Sequence, residues 1–294
     1  MAFMVMKSVN MKKPEYLYHY TSIEGLAHIL SSRQIRFSRL DLLDDTTEGQ
    51  SQDPVDWRKY FFVSCWTADE DESIPLWYIY TREMIGVRLK LPTDMFKKYY
   101  LDTSKVPSFL QLADTSSAPP GVKIVIESYM PYEKLHGEDY IVLPPCFRQD
   151  IWPFPVEYTD DDSVLKQNMI DYDRENNSTT LKSFEIAKYK RKVWAFQNEW
   201  RFRIYCHNAA PRSMKDKMSN DDYYNLMLKE LTSLGKGVSQ EYFFMELSDA
   251  AFNNIEVVLG PKVDSAHETI VDSLLKTYCP NATFKKSTLT GQIK

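Results

Sequence analysis

Glycine is scarce in this chain, 9 of 294 residues, and no Gly-rich segment opens a predicted helix. A phosphate-cradling loop of the kind that begins many nucleotide-binding folds is therefore excluded, and the serine elbow of hydrolases and the His-Glu-x-x-His zinc helix are missing too. There are four cysteines, Cys65, Cys146, Cys206 and Cys279. No two lie close enough for a metal knuckle or a redox pair, and Cys65 and Cys206 read as small core residues in strands. No long basic run occurs and the formal net charge is -5, so strong non-specific nucleic-acid binding is not expected. No stretch approaches the apolar length of a membrane span. Met1–Lys7 is too short, and lacks the leading positive charge, to read as a signal peptide. These absences predict a reduced, cytoplasmic protein with no membrane partner.

Apolar residues make up 43% of the chain and aromatics 14%, enough for a sizeable core and too much for a disordered protein. The most informative stretch is Leu17-Tyr18-His19-Tyr20-Thr21-Ser22-Ile23-Glu24-Gly25-Leu26-Ala27-His28-Ile29-Leu30. Its first residues alternate with the period of a strand. Thr21 followed by Glu24 predicts a capping box. Ile23, Leu26, Ala27, Ile29 and Leu30 then supply one face of a helix. His19, titratable and at the end of a strand, reads either as a hydrogen-bonded core or edge histidine or as a ligand-binding residue.

Further strands are predicted at Gln34–Arg39, Tyr60–Thr67, Met84–Leu91, Lys123–Tyr129, Glu199–Cys206, Tyr242–Leu247 and Ile255–Gly260, with a short one at Ala282–Phe284. Helices are predicted over 74–81, 178–198, 220–234 and 264–278. The irregular alternation, with hairpin-like pairs, indicates an α+β fold of mixed, mostly antiparallel sheets flanked by helices. No composition shift marks an internal boundary, so residues 16–294 read as a single domain behind an N-terminal extension, 1–15.

In the strand Glu199–Cys206, Trp200, Phe202, Ile204 and Cys206 share one face while Glu199, Arg201, Arg203 and Tyr205 share the other. That second face reads either as a solvated surface or as the floor of an anion-binding cleft, since guanidinium donors match phosphate oxygens in pairs. Trp77 and Tyr80 stand three apart on a helix and share a face. They read as core packing or as an aromatic clamp for a flat ring. Asp44, Asp45 and Glu48 form an acidic loop. With His19 they would suit a metal-assisted hydrolase, but their spacing matches no specific metal motif, and no metal is expected.

In their order these pieces resemble a bacterial family of unknown function, numbered 2971. The matching residues are Leu17–Ser22 with Gly25-Leu26 and Ile29-Leu30; Arg36-Phe37-Ser38 leading to Asp45 and Glu48; Phe62–Cys65; Trp77 and Tyr80 before Gly86-Val87; Glu199-Trp200-Arg201; and Ile255–Gly260. The loop Asp44-Asp45-Thr46-Thr47-Glu48 departs from the Asn-Asp-Pro type expected there. The opening strand-histidine-helix segment is similar to that of ADP-ribosyltransferases, which place a histidine, a tyrosine and a glutamate around NAD. The resemblance implies an ADP-ribosyltransferase-like fold, NAD as cofactor and an unknown, macromolecular acceptor. It implies that His19 holds a ribose hydroxyl of the adenosine half and that Tyr80, with Tyr78 or Trp77 as alternatives, stacks on nicotinamide. Glu199 would be the catalytic carboxylate. Arg36, Arg201 or Arg203 would hold the pyrophosphate, with Thr21 and Ser38 completing the cofactor-binding set. The alternative is a catalytically silent nucleotide-binding or protein-interaction module on the same fold.

Overall fold

A computed structural model describes residues 12–102, 125–143 and 152–294. The expectations about Met1–Lys7, the start of the strand at Lys123, and Cys146 fall outside the described residues. The chain opens with β1 (Tyr16–Thr21), α1 (Ile23–Ser32) and β2 (Gln34–Arg39). It continues with β3 (Phe61–Thr67), α2 (Ile74–Tyr80), β4 (Val87–Pro92), β5 (Tyr99–Asp102), β6 (Val125–Ser128), α3 (Tyr132–Leu135) and β7 (Tyr140–Val142). Next come β8 (Phe154–Pro155), β9 (Glu157–Tyr158), α4 (Asp162–Leu165), β10 (Ile170–Asp173), β11 (Ser178–Leu181), β12 (Tyr189–Lys190) and the long β13 (Glu199–Asn208). The chain then runs through α5 (Asn220–Thr232), β14 (Tyr242–Glu246), α6 (Asp249–Asn253), β15 (Glu256–Leu259), α7 (Ser265–Tyr278) and β16 (Thr283–Lys286).

Ten strands join one sheet, in the order β14-β2-β3-β1-β4-β15-β16, with β13 on β3 and β7 and β8 on β13. Among the described strands only β15–β16 and β9–β12 pair in parallel. The fold is α+β, with mostly antiparallel sheets flanked by helices. One apolar core draws on residues from Leu17 to Cys279. A satellite cluster of Tyr20, Leu76, Trp77, Met84 and Val258 lies under α2. No helix among the described residues is long and apolar enough to cross a membrane.

Helix α1 begins one residue later than the capping box predicts. Ser22, not Thr21, is the N-cap and accepts from the Gly25 amide at 3.1 Å, while Thr21 completes β1. Gly25 allows a close approach: a Cβ there would fall 2.1 Å from Thr21 Oγ1, so any larger residue would have to displace the Thr21 side chain. The largest correction concerns 178–198, which is not a helix. Ser178–Leu181 pairs with Ile170–Asp173 as a hairpin, Ala187 takes the left-handed conformation, Tyr189-Lys190 adds to β9 and Lys192–Gln197 forms a 3-10 turn. Leu181, Phe184, Ala187, Arg191 and Trp194 are in helical step by sequence alone; β-branched Thr179 and Thr180 favour the hairpin instead.

Candidate functional site

The site originates in a fork of the sheet. One edge of β3 is paired along β13, from Glu199 opposite Thr67 to Tyr205 opposite Phe61. The other edge is shared by two strands. β2 pairs at Phe62 and Val63, and β1 pairs at Thr67. Between these points β1 and β2 diverge, and α1 joins them. Ser64, Cys65 and Trp66 are left at the bottom of the gap. A cleft of about 950 Å³ occupies it.

His19, Thr21, Arg36, Ser38, Tyr80, Glu199 and Arg201 all line this cleft, together with Cys65, Asp44, Asp45, Lys190 and Gln197. Strand register sets Glu199 beside Tyr18, since both stand opposite Thr67. The pleat therefore turns His19 to the other face of β3. The two side chains reach one cleft only because the sheet is open at the fork.

His19 Nδ1 lies 3.0 Å from the Cys65 carbonyl oxygen. A carbonyl only accepts, so Nδ1 carries the hydrogen and Nε2 is left as an acceptor. The ring leans on Trp66, centroids 4.9 Å apart, and the Trp66 indole donates to Ser64 Oγ at 3.0 Å. Burial pushes the imidazole pKa down, the Cys65 carbonyl opposes it, and the Arg36 charge adds to the lowering. His19 is thus neutral at neutral pH.

Glu199 belongs to a buried group of four charges. Arg201 grips it side-on, Nε to Oε1 at 2.6 Å and Nη2 to Oε2 at 3.0 Å. Lys190 Nζ approaches the same carboxylate at 3.3 Å. The remaining arm of Arg201 donates to Glu48 and to the Ala187 carbonyl, and Lys190 stands 3.6 Å from Glu48. Two carboxylates and two cations cancel in formal charge. Burial alone would raise the Glu199 carboxyl, but Arg201 and then Lys190 outweigh it and hold it below the usual carboxylate range.

Tyr80 is tied to this group through Gln197. The Gln197 amide donates to the Tyr80 hydroxyl at 2.7 Å, and its carbonyl accepts from Lys190 at 2.7 Å. Burial, with Cys65 and Glu199 nearby, raises the phenol well above its ordinary value, so it stays protonated. Burial likewise raises the Cys65 thiol.

Two residues expected at the site do not line the cleft. Trp77 is fully buried, edge-on to Tyr20 at 4.8 Å, with its indole donating to Glu72 at 2.9 Å. Arg203 is buried and donates to the Phe184 and Ile186 carbonyls. Tyr205 stacks on Phe61 at 4.5 Å. The polar face of β13 is therefore neither solvated nor an open anion floor, because Arg201 and Arg203 spend their donors on protein oxygens. The acidic loop does not act as one unit either: Glu48 joins the charge group, while Asp45 Oδ1 caps its own turn through Thr47. No group of three or more His, Cys, Asp or Glu side chains among the described residues is placed to hold a metal.

Sequence reasoning missed Lys190 and Gln197. Lys190 was hidden in the false helix, and Gln197 ends the 3-10 turn just before β13. Comparison with known proteins yields no matching family model, no matching curated protein and no matching solved structure.

Proposed function

We propose that the cleft binds NAD and transfers its ADP-ribosyl group to a macromolecular acceptor, as the resemblance to ADP-ribosyltransferases implies. The observation that carries this reading is the convergence of a neutral imidazole, a protonated phenol and an ionised carboxylate on one cleft, from three elements distant in sequence. Its volume lies near the top of the small-ligand range of about 300–1,000 Å³, which suits two linked nucleotide units. His19 Nε2 accepts from a ribose hydroxyl of the adenosine half. The Tyr80 ring packs on nicotinamide. Of the three arginines considered for the pyrophosphate, Arg36 is the one with no ion pair or side-chain hydrogen bond among the described residues.

The bond from ribose C1′ to the nicotinamide nitrogen breaks, and its electron pair returns to the ring, which leaves as neutral nicotinamide. The sugar is left cationic, as in glycoside cleavage. The Glu199 charge stabilises it. A lone pair of the acceptor then bonds to C1′, and the acceptor's proton passes to water.

The test is nicotinamide release from NAD by the full chain, alone and with cell lysate as acceptor. Wild-type protein is expected to release it, and Glu199→Gln to do so about a hundredfold more slowly. Wild type that releases none under either condition overturns transfer. A second reading, nucleotide binding without turnover, is favoured by the side-on grip of Arg201 and Lys190 on Glu199, which uses up most of the carboxylate's acceptor capacity. Calorimetric NAD binding with no release would carry it.

A further inference from the structure

The far end of the cleft has a composition that the triad does not explain. On β2, Ile35 and Phe37 enter the core, while Gln34, Arg36 and Ser38 line the cleft. The neighbouring strand β14 buries Phe243 and Met245. Register sets Phe244 directly opposite Arg36, close enough for the two side chains to act as a pair. Phe244 is 45% exposed and lines the cleft.

An exposed phenylalanine alone is ordinary; the chemistry beside it makes this one informative. The other permanent cations in the lining, Lys190 and Arg201, are consumed by Glu48 and Glu199. Among the described residues Arg36 has only a ring beneath it, its guanidinium carbon 5.0 Å from the Tyr242 centroid. A free guanidinium next to an open aromatic face matches an anion joined to a flat π system. A nucleobase with its phosphate has both parts. A carboxylate or a sugar alone would leave the ring face unused.

The position selects which base. β14 is separated from β13 by β2 and β3, about 14 Å at three strand spacings. The base stacked there is therefore the one remote from Glu199. We propose that Phe244 is the stacking platform for adenine, with Arg36 holding the adjoining phosphate. This rests on the reading of the cleft as an NAD site and assigns its adenosine end to a strand that the triad does not use.

Calorimetric titration of the full chain with two half-ligands tests it, ADP-ribose for the adenosine side and nicotinamide mononucleotide for the other. Phe244→Ala should weaken ADP-ribose binding about tenfold or more, the usual scale of a lost base stack, and leave nicotinamide mononucleotide unchanged. Phe244→Tyr, which keeps the ring, should bind both as wild type does. The side chain is half outside the core, so an unchanged melting temperature confirms that the variants are folded. ADP-ribose bound by Phe244→Ala as tightly as by wild type overturns the platform and leaves the NAD reading standing. Equal losses for both half-ligands also overturn the platform. Wild type that binds neither overturns both.

Discussion

The two ends of the cleft handle charge in opposite ways. At the β13 end Glu48, Glu199, Arg201 and Lys190 are buried, mutually paired and tied to Tyr80 through Gln197. At the β2 end Arg36 stands exposed over one ring, with no counter-ion among the described residues. A closed group of charges is rigid, because moving any member leaves another unpaired in a poorly solvated place. An open cation costs nothing to leave in water and gains most from an arriving anion. The first end is built to hold a geometry and the second to receive a charge.

The strongest break in that comparison is Arg201→Ala. It strands two buried carboxylates and should cost about 3–5 kcal/mol, read as a lower urea midpoint; a midpoint like that of wild type would mean that the group is not cooperative. Gln197→Ala should cost less, about 1–3 kcal/mol for two lost bonds, one to a charged group, and should loosen Tyr80. If it costs nothing, the link from Lys190 to Tyr80 is not maintained in solution.

Acid should act in two stages. His19, His136 and His207 all have folded pKa values lowered by burial. Each unfolded imidazole binds a proton near 6.5 before its folded counterpart does, so their contribution is full above that pH and fades as pH falls below it. The Glu199 carboxyl is depressed instead. Its contribution is present above about 4.5, the ordinary carboxyl value, and is lost at lower pH. Stability should therefore begin to decline between pH 7 and 5, before carboxylates titrate, and His19→Asn should flatten part of that early slope. A curve level down to pH 5 would contradict the neutral imidazoles. The smallest effect belongs to Arg36→Gln, expected within about 0.5 kcal/mol of wild type in unfolding while weakening any anionic ligand. A large stability loss there would erase the contrast between the ends.

Local signals made much of this legible. Alternation marked β1 and β13, a run of apolar residues marked β3, and apolar spacing marked α1, so His19 and Glu199 could be named from sequence. Tyr80 and Trp77 illustrate where that stops. Both lie on α2, but the helix has only seven residues. Trp77 points beneath it to Tyr20, and Tyr80 leaves from its last turn toward the cleft. The partners of Glu199 were less visible because Glu48 sits in a loop and Lys190 in a two-residue strand. Nothing in such short segments announces burial; it arises when distant chain closes over them. The burial of Arg203 has the same origin, since its partners are backbone carbonyls that have no sequence signature.

The fork has a kinetic consequence. In an antiparallel strand a residue's amide and carbonyl point to the same edge. Val63 and Thr67 direct theirs to β2 and β1. Cys65, midway between, faces the gap, where the His19 ring takes its carbonyl and, among the described residues, no strand stands to take its N–H. In deuterated solvent that amide should label much sooner than its neighbours in the middle of the sheet, and a molecule seated in the cleft should slow it. One backbone hydrogen would then report occupancy of the site without any knowledge of the reaction.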